Sequence, residues 1–338
     1  MINPTKTCYL HIGHPKSATS SIQSLLLQAA LADNSTLPYY PLDYSDFGLT
    51  DYSTLTKEAV YPGNAEPLLD AALDNNYKCL ELIAESLACK NKKSVLLSSE
   101  LLFYEQSASR LIQKALTNSG FSIVVVALLP NVYMGAVSCY SQFVKSHGYA
   151  GSFEEYIYFI QHLNMFKYEQ LLASHIYSEH TRIRVKPYFG RQHGNTKGVL
   201  LDFLQLIDQE KSTDTLMSLP SLNQSPSAEE LEAMRIANCS GMPKSNPQKQ
   251  LSEGIRKTSI YNNLLRQSSL YYLGKYLGMA ADFINFPYWH NVDEQAVEEW
   301  KKLHVEIQYN SLNKSLMLSL LQQFFSDFKK DPLRESTQ

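Results

Sequence analysis

Four short apolar runs, separated by longer stretches with helical spacing, set the pattern of the first two thirds of the chain. They read TCYLHIG, SVLLSS, FSIVVVALL and RIRVKPY, at residues 7–13, 94–99, 121–129 and 182–188. Runs of this length and composition predict β-strands. Because the third run is almost entirely apolar, we expect it at the centre of a parallel sheet with both faces covered.

The intervals between these runs predict helices. SIQSLLLQAALA (21–32) and AALDNNYKCLELIAESLACK (71–90) carry apolar residues at helical spacing. Ser152 with Glu155, and Ser227 with Glu230, form capping boxes that predict two later helix starts. Strands that alternate with helices predict an α/β fold with a parallel sheet.

Beyond about residue 225 no strand is evident, and the pattern predicts helices to the end of the chain. We therefore expect an α/β core over residues 1–225 and a helical C-terminal extension over 226–338, packed on the core as part of one domain. A polar, proline-bearing stretch at 240–250 is typical of a linker within the extension.

Composition limits the partners and the location that we expect for this protein. The 338 residues carry a net charge of −3, with 44% hydrophobic and 19% charged residues, so we expect neither a nucleic acid nor an anionic membrane as partner. The longest apolar run is too short to span a bilayer, and the N-terminus lacks the apolar core of a signal peptide. We therefore expect a cytoplasmic protein.

The sequence predicts no structural metal. Its five cysteines are scattered and form no C-x-x-C pair, and its nine histidines lack the spacing of metal ligands.

The stretch HIGHPKSATSSIQ (11–23) joins the first predicted strand to the first predicted helix. The free N–H groups and the dipole of a helix start favour an anion, to which Lys16 would add a positive charge. Four hydroxyl donors follow: Ser17, Thr19, Ser20 and Ser21. The alternative is a serine-rich loop with an N-cap and a surface lysine. A Walker A loop is excluded because Lys16 precedes the small residue Ala18, and no aspartate for magnesium ends the second strand.

This stretch resembles the 5′-phosphosulfate loop of PAPS-dependent sulfotransferases, whose usual form is P-K-[TS]-G-T-[TS]. Four further stretches are similar, in the same order, to bacterial carbohydrate-type members of that family. They are VLLSSELL (95–102), VVVALLPNVYMGAVSCYSQFVKSHG (124–148), RIRVKPYFGRQHGNTKGVLLDFL (182–204) and LNQSPSAEELEAM (222–234).

The resemblance implies a P-loop-like three-layer fold and transfer of a sulfuryl group from PAPS to a hydroxyl of a carbohydrate or glycolipid, leaving PAP and needing no metal. It implies that Lys16 neutralises charge on the leaving phosphate and that Ser138 binds the 3′-phosphate. The loop that holds the donor would comprise His14, Pro15, Lys16, Ser17, Ala18, Thr19, Ser20 and Ser21.

Two positions depart from the family pattern. Ala18 replaces a glycine, which would cost on the order of 1 kcal/mol if the position needs a positive φ and nothing if it is helical. Pro130, followed by Asn131, stands eight residues before Ser138, where the family has an arginine for the 3′-phosphate. Either another cation, with Lys145 and Arg110 the nearest in sequence, replaces it or the 3′-phosphate is poorly recognised. We favour poor recognition.

Three side chains are candidates for the base that takes the proton of the acceptor hydroxyl: Glu100, His11 and His14. A base must come within about 2.6–3.2 Å of that hydroxyl. Glu100 ends the second strand and is preferred, with His11 next, whereas His14 is expected to be more exposed and to line the donor. Lys186 and Arg191 flank a proline-containing loop, and we expect both at the surface.

Two alternatives to a sulfotransferase remain. The departures at positions 18 and 130 favour a catalytically impaired, sulfotransferase-like protein that binds a nucleotide or glycan. A kinase or other phosphoryl-transfer enzyme is the third possibility, and it would require magnesium. The sequence does not define the acceptor or the oligomeric state.

Overall fold

The computed structural model describes residues 6–14, 17–31, 37–42, 44–49, 63–161, 166–189, 196–210, 228–239 and 287–302. A four-stranded, all-parallel sheet forms its centre, in the order β2-β1-β3-β4. Its strands are β1 (Lys6–His11), β2 (Ser94–Ser98), β3 (Phe121–Pro130) and β4 (Thr181–Tyr188). The predicted α/β fold with a parallel sheet is confirmed, and each strand lies within two residues of its predicted bounds at either end.

The strand order creates a crevice at one edge of the sheet. The chain runs from β1 to β2 on one side, and β3 and β4 then follow on the other side of β1. The connections after β1 and β3 therefore leave in opposite directions. Ligands of open α/β sheets bind outside the carboxyl ends of strands at such a reversal, so the turns after β1 and β3 are the first places to look for a site.

Ten helices are described. They are α1 (Thr19–Leu31), α2 (Glu66–Leu73), α3 (Tyr77–Cys89), α4 (Gln106–Asn118), α5 (Val132–His147), α6 (Phe153–Gln161), α7 (Tyr168–Ala173), α8 (Thr196–Leu206), α9 (Ala228–Cys239) and α10 (Glu294–Lys302). Short 3-10 turns occupy Tyr44–Phe47 and Leu101–Phe103. Within the described residues, no helix combines the length and apolarity that crossing a membrane would need.

The helix predicted over residues 71–90 is confirmed over most of its length but is not continuous, because α2 ends at Leu73 and α3 begins at Tyr77. Asn75 between them has a φ of +53°, a left-handed conformation that asparagine tolerates better than most residues and that stops a helix. The side chain of Asn76 then accepts a hydrogen bond from the N–H of Cys79, 3.1 Å away, and caps α3. Helical spacing alone did not reveal this break.

Helices α1 and α8 cover one face of the sheet. Val124, Val126 and Leu128, alternate residues of β3, are buried there in a single apolar cluster with Ile22 of α1 and Phe203 of α8. Helix α4 contacts β3 as well and packs with α2 and α3. The arrangement is compatible with a three-layer α/β fold, and the central position predicted for the third apolar run is confirmed.

The outer edge of β4 is paired by a segment late in the chain. Val185 donates to the carbonyl of Tyr288 at 2.9 Å and accepts from the N–H of His290 at 3.0 Å, so that Trp289 forms a one-residue parallel bridge. The predicted helical C-terminal part is present as α9 and α10, but it includes this bridge, which the sequence pattern did not indicate.

The chain divides into two compact units. The first contains the sheet with α1–α4, α7, α8 and α10, and the second contains α5, α6 and α9. The divisions fall after residues 131, 166 and 222 within the first 225 residues. The last of these lies close to the boundary predicted at residue 225, whereas the packing of the C-terminal extension on the core stays a prediction.

Within the second unit, side-chain hydrogen bonds join α9 to the chain around the end of α5. Asn238 donates to the carbonyls of Val144 and Tyr149, at 2.9 and 3.0 Å. The capping box at the start of α6 is confirmed, because Glu155 N–H donates to Ser152 Oγ at 3.2 Å and Ser152 N–H donates to the Glu155 carboxylate at 2.6 Å. The second capping box begins at Ser227, outside the described residues.

Candidate anion-binding site

The chain leaves β1 through a turn whose described residues are 12–14, 17 and 18, and which we call the anion turn. Ile12 N–H still donates to Val126 O of β3, at 3.1 Å. The carbonyl of His14 then accepts from Ser17 N–H at 3.1 Å, from Ser17 Oγ at 2.6 Å and, more weakly, from Thr19 Oγ1 at 3.4 Å. The turn is thus closed around one carbonyl oxygen, at the carboxyl end of the sheet.

Ala18 lies at the junction between the anion turn and α1 with a φ of +64°. Helix α1 starts at the next residue, and Ile22 N–H donates to Ala18 O at 3.0 Å. The N–H groups of the first turn have no acceptor within their own helix. Together with the helix dipole they form a site that favours a phosphate or sulfate group.

Gly13 allows the anion turn to fold back on α1. A Cβ atom at this position would lie 2.1 Å from Thr19 Oγ1 and 2.5 Å from Thr19 Cγ2. Neither distance is possible for a real side chain, so residue 13 must lack a Cβ while Thr19 stays in place. Sequence reasoning missed this requirement, although the glycine directly after the first strand was the available signal.

The predicted hydroxyl ligands divide into two groups. Ser17 and Thr19 are buried and directed at the carbonyl of His14, where they stabilise the turn itself. Ser20 is half-buried and Ser21 is buried in the first turn of α1. Pro15 and Lys16 lie outside the described residues, so the role of Lys16 stays a prediction.

His14 was expected to be more exposed, and this is wrong. Its side chain is fully buried and packs edge-on against Phe103, with ring centroids 4.8 Å apart, and against Tyr168, at 5.4 Å. Tyr168 also donates its hydroxyl to the carbonyl of Pro130 at the end of β3, at 3.0 Å. The ring of His14 therefore anchors the anion turn between the strand ends. Aromatic packing of this kind leaves no mark in local sequence pattern.

His11, the last residue of β1, is also fully buried. Its Nδ1 lies 2.9 Å from Ser98 Oγ, and its ring packs against Phe203 at a centroid distance of 5.0 Å. Burial lowers the pKa of His11 to about 3, so the imidazole is neutral at physiological pH. Within the described part of the chain its Nε2 has no hydrogen-bond partner. This environment favours a structural role over exchange of a proton with an acceptor.

Glu100 lies just beyond the paired ends of β1 and β2. Ser99 N–H donates to His11 O at 3.0 Å, and Glu100 follows as the residue before the 3-10 turn that begins at Leu101. Its side chain is half-buried, whereas His11 and His14 are fully buried. Of the three candidate bases, Glu100 is therefore the one with access to solvent at the crevice edge.

A buried hydrogen-bond cluster around Ser98, which we call the Ser98 hub, was not predicted. Gln23 Nε2 of α1 donates to Ser98 Oγ at 3.0 Å, and Ser98 N–H donates to Asn64 Oδ1 at 2.7 Å. Asn64 Nδ2 donates in turn to Leu96 O at 3.0 Å. Gln23 and Asn64 are 75 and 34 residues from Ser98, and no local pattern links residues so far apart.

The end of β3 is occupied by packing interactions where the family has its arginine. Asn131 is buried and donates its side-chain amide to the carbonyl of Trp300, at 2.9 Å. The indole N–H of Trp300 donates to Leu129 O, also at 2.9 Å. Ser138, which the resemblance implies as a 3′-phosphate ligand, is half-buried on α5 in the second unit. Its role stays a prediction.

Lys186 was expected at the surface, and this is wrong as well. Its side chain is only 8% exposed, and its ammonium lies 3.3 Å from Asp202 of α8 and bonds Gln205. A lysine is buried in this way only when it is paired. Lys186 therefore fixes α8 against β4 rather than serving a ligand at the surface. Arg191 lies outside the described residues.

No family model and no curated protein matches the chain. The family resemblance therefore rests on the sequence motifs alone, and it stays a prediction. Among the described residues no group of three or more histidine, cysteine, aspartate or glutamate side chains forms a metal-ligand cluster, and independence from metal stays an expectation.

Proposed function

We propose that this protein is a sulfotransferase with a P-loop-like fold that moves a sulfuryl group from PAPS to a hydroxyl of a carbohydrate or glycolipid. The observation that carries the proposal is the anion turn: a glycine-dependent bend and a left-handed residue lead into the N-terminus of α1, at the point where strand order reverses. Such a turn suits the 5′-phosphate end of the donor.

The two ends of PAPS fit this chain unequally. At the 5′ end, the free N–H groups of α1 and the hydroxyls of Ser20 and Ser21 are suitable donors. At the 3′ end, Pro130 and Asn131 supply no charge, and the amide of Asn131 already bonds Trp300 O. The 5′ end therefore supports the proposal, and the 3′ end argues for weak recognition of the second phosphate.

When bound, PAPS supplies the sulfuryl group and a phosphate leaving group. In our proposal the turn and α1 hold the 5′-phosphate, and Lys16 stabilises negative charge as it develops on the leaving oxygen. The carboxylate of Glu100 accepts the proton of the acceptor hydroxyl. Fixed positions and fixed charges then provide the catalysis, as in phosphoryl transfer.

A protein that binds the nucleotide without turnover is the second candidate. The specific observation in its favour is that the hydroxyls of Ser17 and Thr19, both implied as phosphate ligands, are directed at His14 O instead. PAP binding without sulfuryl transfer would establish this candidate. A phosphoryl-transfer enzyme would differ from both by requiring magnesium.

The deciding experiment incubates the purified chain with labelled PAPS and a panel of glycans, with and without EDTA. We expect transfer to at least one glycan in both conditions.

Lys16→Ala should lower turnover in this assay by about 10²-fold or more, as for other lost transition-state stabilisers. If Lys16 serves chemistry more than folding, the melting temperature should stay close to that of the wild type, since substitutions that break no packing usually change stability by about 0.5 kcal/mol or less. Lys78→Ala, at an exposed lysine of α3, is the matched control and should retain full turnover.

Glu100→Gln tests the base in the same assay, because glutamine keeps the shape of glutamate but cannot accept the proton. We expect kcat to fall by about 10²-fold, within the usual range for general-base catalysis, with PAP affinity unchanged. Glu105→Gln, an exposed glutamate just before α4, is the control. Normal kcat in Glu100→Gln together with loss of kcat in His11→Ala would assign the role to His11.

A further inference from the structure

We propose that Gln23 is a positioning residue for the transfer reaction: through the Ser98 hub it fixes the anion-binding start of α1 relative to Glu100. This inference rests on the proposed function, because it assigns Gln23 to the alignment of the donor site with the base. Gln23 was not singled out by its sequence context, and it touches neither the donor nor the acceptor in this proposal.

The geometry places Gln23 between the two functional parts. It lies four residues after Thr19, about one turn into α1. Its Nε2 donates to Ser98 Oγ at 3.0 Å, and Ser98 is the last residue of β2, two residues before Glu100. One hydrogen bond thus joins the helix that begins at the anion turn to the strand that leads to the base.

The other bonds of the hub make Ser98 a rigid partner. Its N–H donates to Asn64 Oδ1 at 2.7 Å, and its carbonyl accepts from Ala65 N–H at 3.1 Å. Its hydroxyl lies 2.9 Å from His11 Nδ1. Gln23, His11, Asn64 and Ser98 are all buried, with 0 to 6% of their surfaces exposed, so solvent cannot replace a bond that is lost.

The proton arrangement within the hub is consistent with this role. The amide of Gln23 donates to Ser98 Oγ. Between Ser98 and His11, the hydroxyl donates to Nδ1 in one tautomer of the neutral imidazole and accepts from it in the other, because a hydroxyl can do both. The bond from Gln23 is compatible with either tautomer, so the hub keeps α1 joined to β2 whichever nitrogen of His11 carries the proton.

The chemical consequence concerns alignment and not affinity. The N–H groups that face the anion belong to α1 itself and do not depend on Gln23. The distance from that helix start to Glu100 does depend on the bond to Ser98. A misplacement of about 1 Å between reacting groups can cost 10²-fold in rate, so loss of Gln23 should lower kcat far more than nucleotide affinity.

The test compares Gln23→Met with Gln113→Met. Methionine keeps the length and volume of glutamine but makes no comparable hydrogen bond. Gln113 is a matched control because it is equally buried, joins Ser109 and His175 by its amide at 3.0 and 2.8 Å, and lies on α4, outside the anion turn and the Ser98 hub. Each variant is assayed for melting temperature, PAP dissociation constant and kcat with PAPS and an accepted glycan.

We expect Gln113→Met to lose at least as much thermal stability as Gln23→Met, because Gln113 also accepts a hydrogen bond from Thr181 Oγ1, at 3.1 Å. In Gln23→Met kcat should fall about 10- to 100-fold with less than a threefold change in PAP dissociation constant, whereas Gln113→Met should change neither beyond twofold. If Gln23→Met does not fold, Ser98→Ala removes the same bond from the other side and should give the same kcat loss. Where both single variants fold, the double variant should be no slower than the slower single one.

Two results would overturn the inference while leaving the proposed function intact. One is a wild type that transfers sulfuryl groups together with a Gln23→Met variant of normal kcat. The other is an equal loss of PAP affinity and kcat, which would make Gln23 part of nucleotide binding. A wild type that binds PAP but transfers nothing would overturn the proposed function and, with it, this role of Gln23.

Discussion

Ala18 adopts a left-handed backbone conformation, φ +64°, at the junction of the anion turn and α1. A Cβ in this conformation crowds the following carbonyl, at a cost of roughly 1–2 kcal/mol relative to glycine. The sequence left open whether position 18 needs a positive φ, and the structure shows that it has one. The alanine is therefore strained, and the surrounding hydrogen bonds to His14 O hold the turn in place.

We predict that Ala18→Gly stabilises the protein. Relief of strain exceeds the extra flexibility that glycine gives the unfolded chain, for a net gain of about 0.5–1 kcal/mol. The measurement is the free energy of unfolding from urea denaturation. Asn75→Gly, at a φ of +53°, is the control and should gain only a few tenths of a kcal/mol, since asparagine tolerates this conformation. A loss of stability in Ala18→Gly would show that the left-handed conformation is not strained.

At the end of β3, backbone carbonyls and Asn131 take part in packing interactions. Its last carbonyls, Leu129 and Pro130, accept from Trp300 and Tyr168, and the following Asn131 bonds Trp300 O. The segment that carries Trp300 thus stabilises the strand end through both its indole and its backbone. In the family that the motifs resemble, this strand end supplies an arginine to the 3′-phosphate.

We predict that this protein discriminates poorly between PAP and adenosine 5′-phosphate. A hydrogen bond to a charged group contributes about 1.5–3 kcal/mol, which is roughly a ten- to 150-fold change in affinity. Without it, we expect calorimetry to show a preference for PAP of less than about tenfold. A strong preference for PAP that disappears in Lys145→Ala would contradict this and would identify Lys145 as the replacing cation.

At the scale of the whole molecule, buried histidines make the fold sensitive to acid. Burial lowers the pKa of His11 to about 3 and, as the largest cause, the pKa of His175 to about 4. In the unfolded chain both would titrate near 6.5. Below that value the unfolded state binds protons that the folded state does not. Stability is therefore full above pH 6.5 and falls as the pH drops toward the folded values.

We predict that the free energy of unfolding decreases between pH 6 and pH 5 by about 1.2 kcal/mol for each of these two histidines. Most carboxylates stay ionised in this window, so the slope reports mainly on histidine. The measurement is urea denaturation at closely spaced pH values. His175→Gln should be less stable at neutral pH but should show a shallower slope. An unchanged slope in His175→Gln would mean that His175 is protonated in the folded state.

Local chemistry was sufficient to predict much of the fold. The four strands follow from apolar runs whose side chains need burial on both faces, and the Ser152–Glu155 capping box follows from hydrogen bonds three residues apart. The turn between β1 and α1 follows from a strand end and a helix start a few residues apart. Each of these signals lies within a few residues along the chain, which is why the sequence alone determined them.

The tertiary structure decided what depends on residues far apart in the chain. Pairing across long separations set the strand order, and with it the crevice after β1 and β3. The burial of His14 and of Lys186 depends on partners such as Tyr168 and Asp202. The link from Gln23 to Ser98 spans 75 residues. Burial and hydrogen bonding at these positions are properties of the neighbours that folding supplies, and the local pattern carries no record of them.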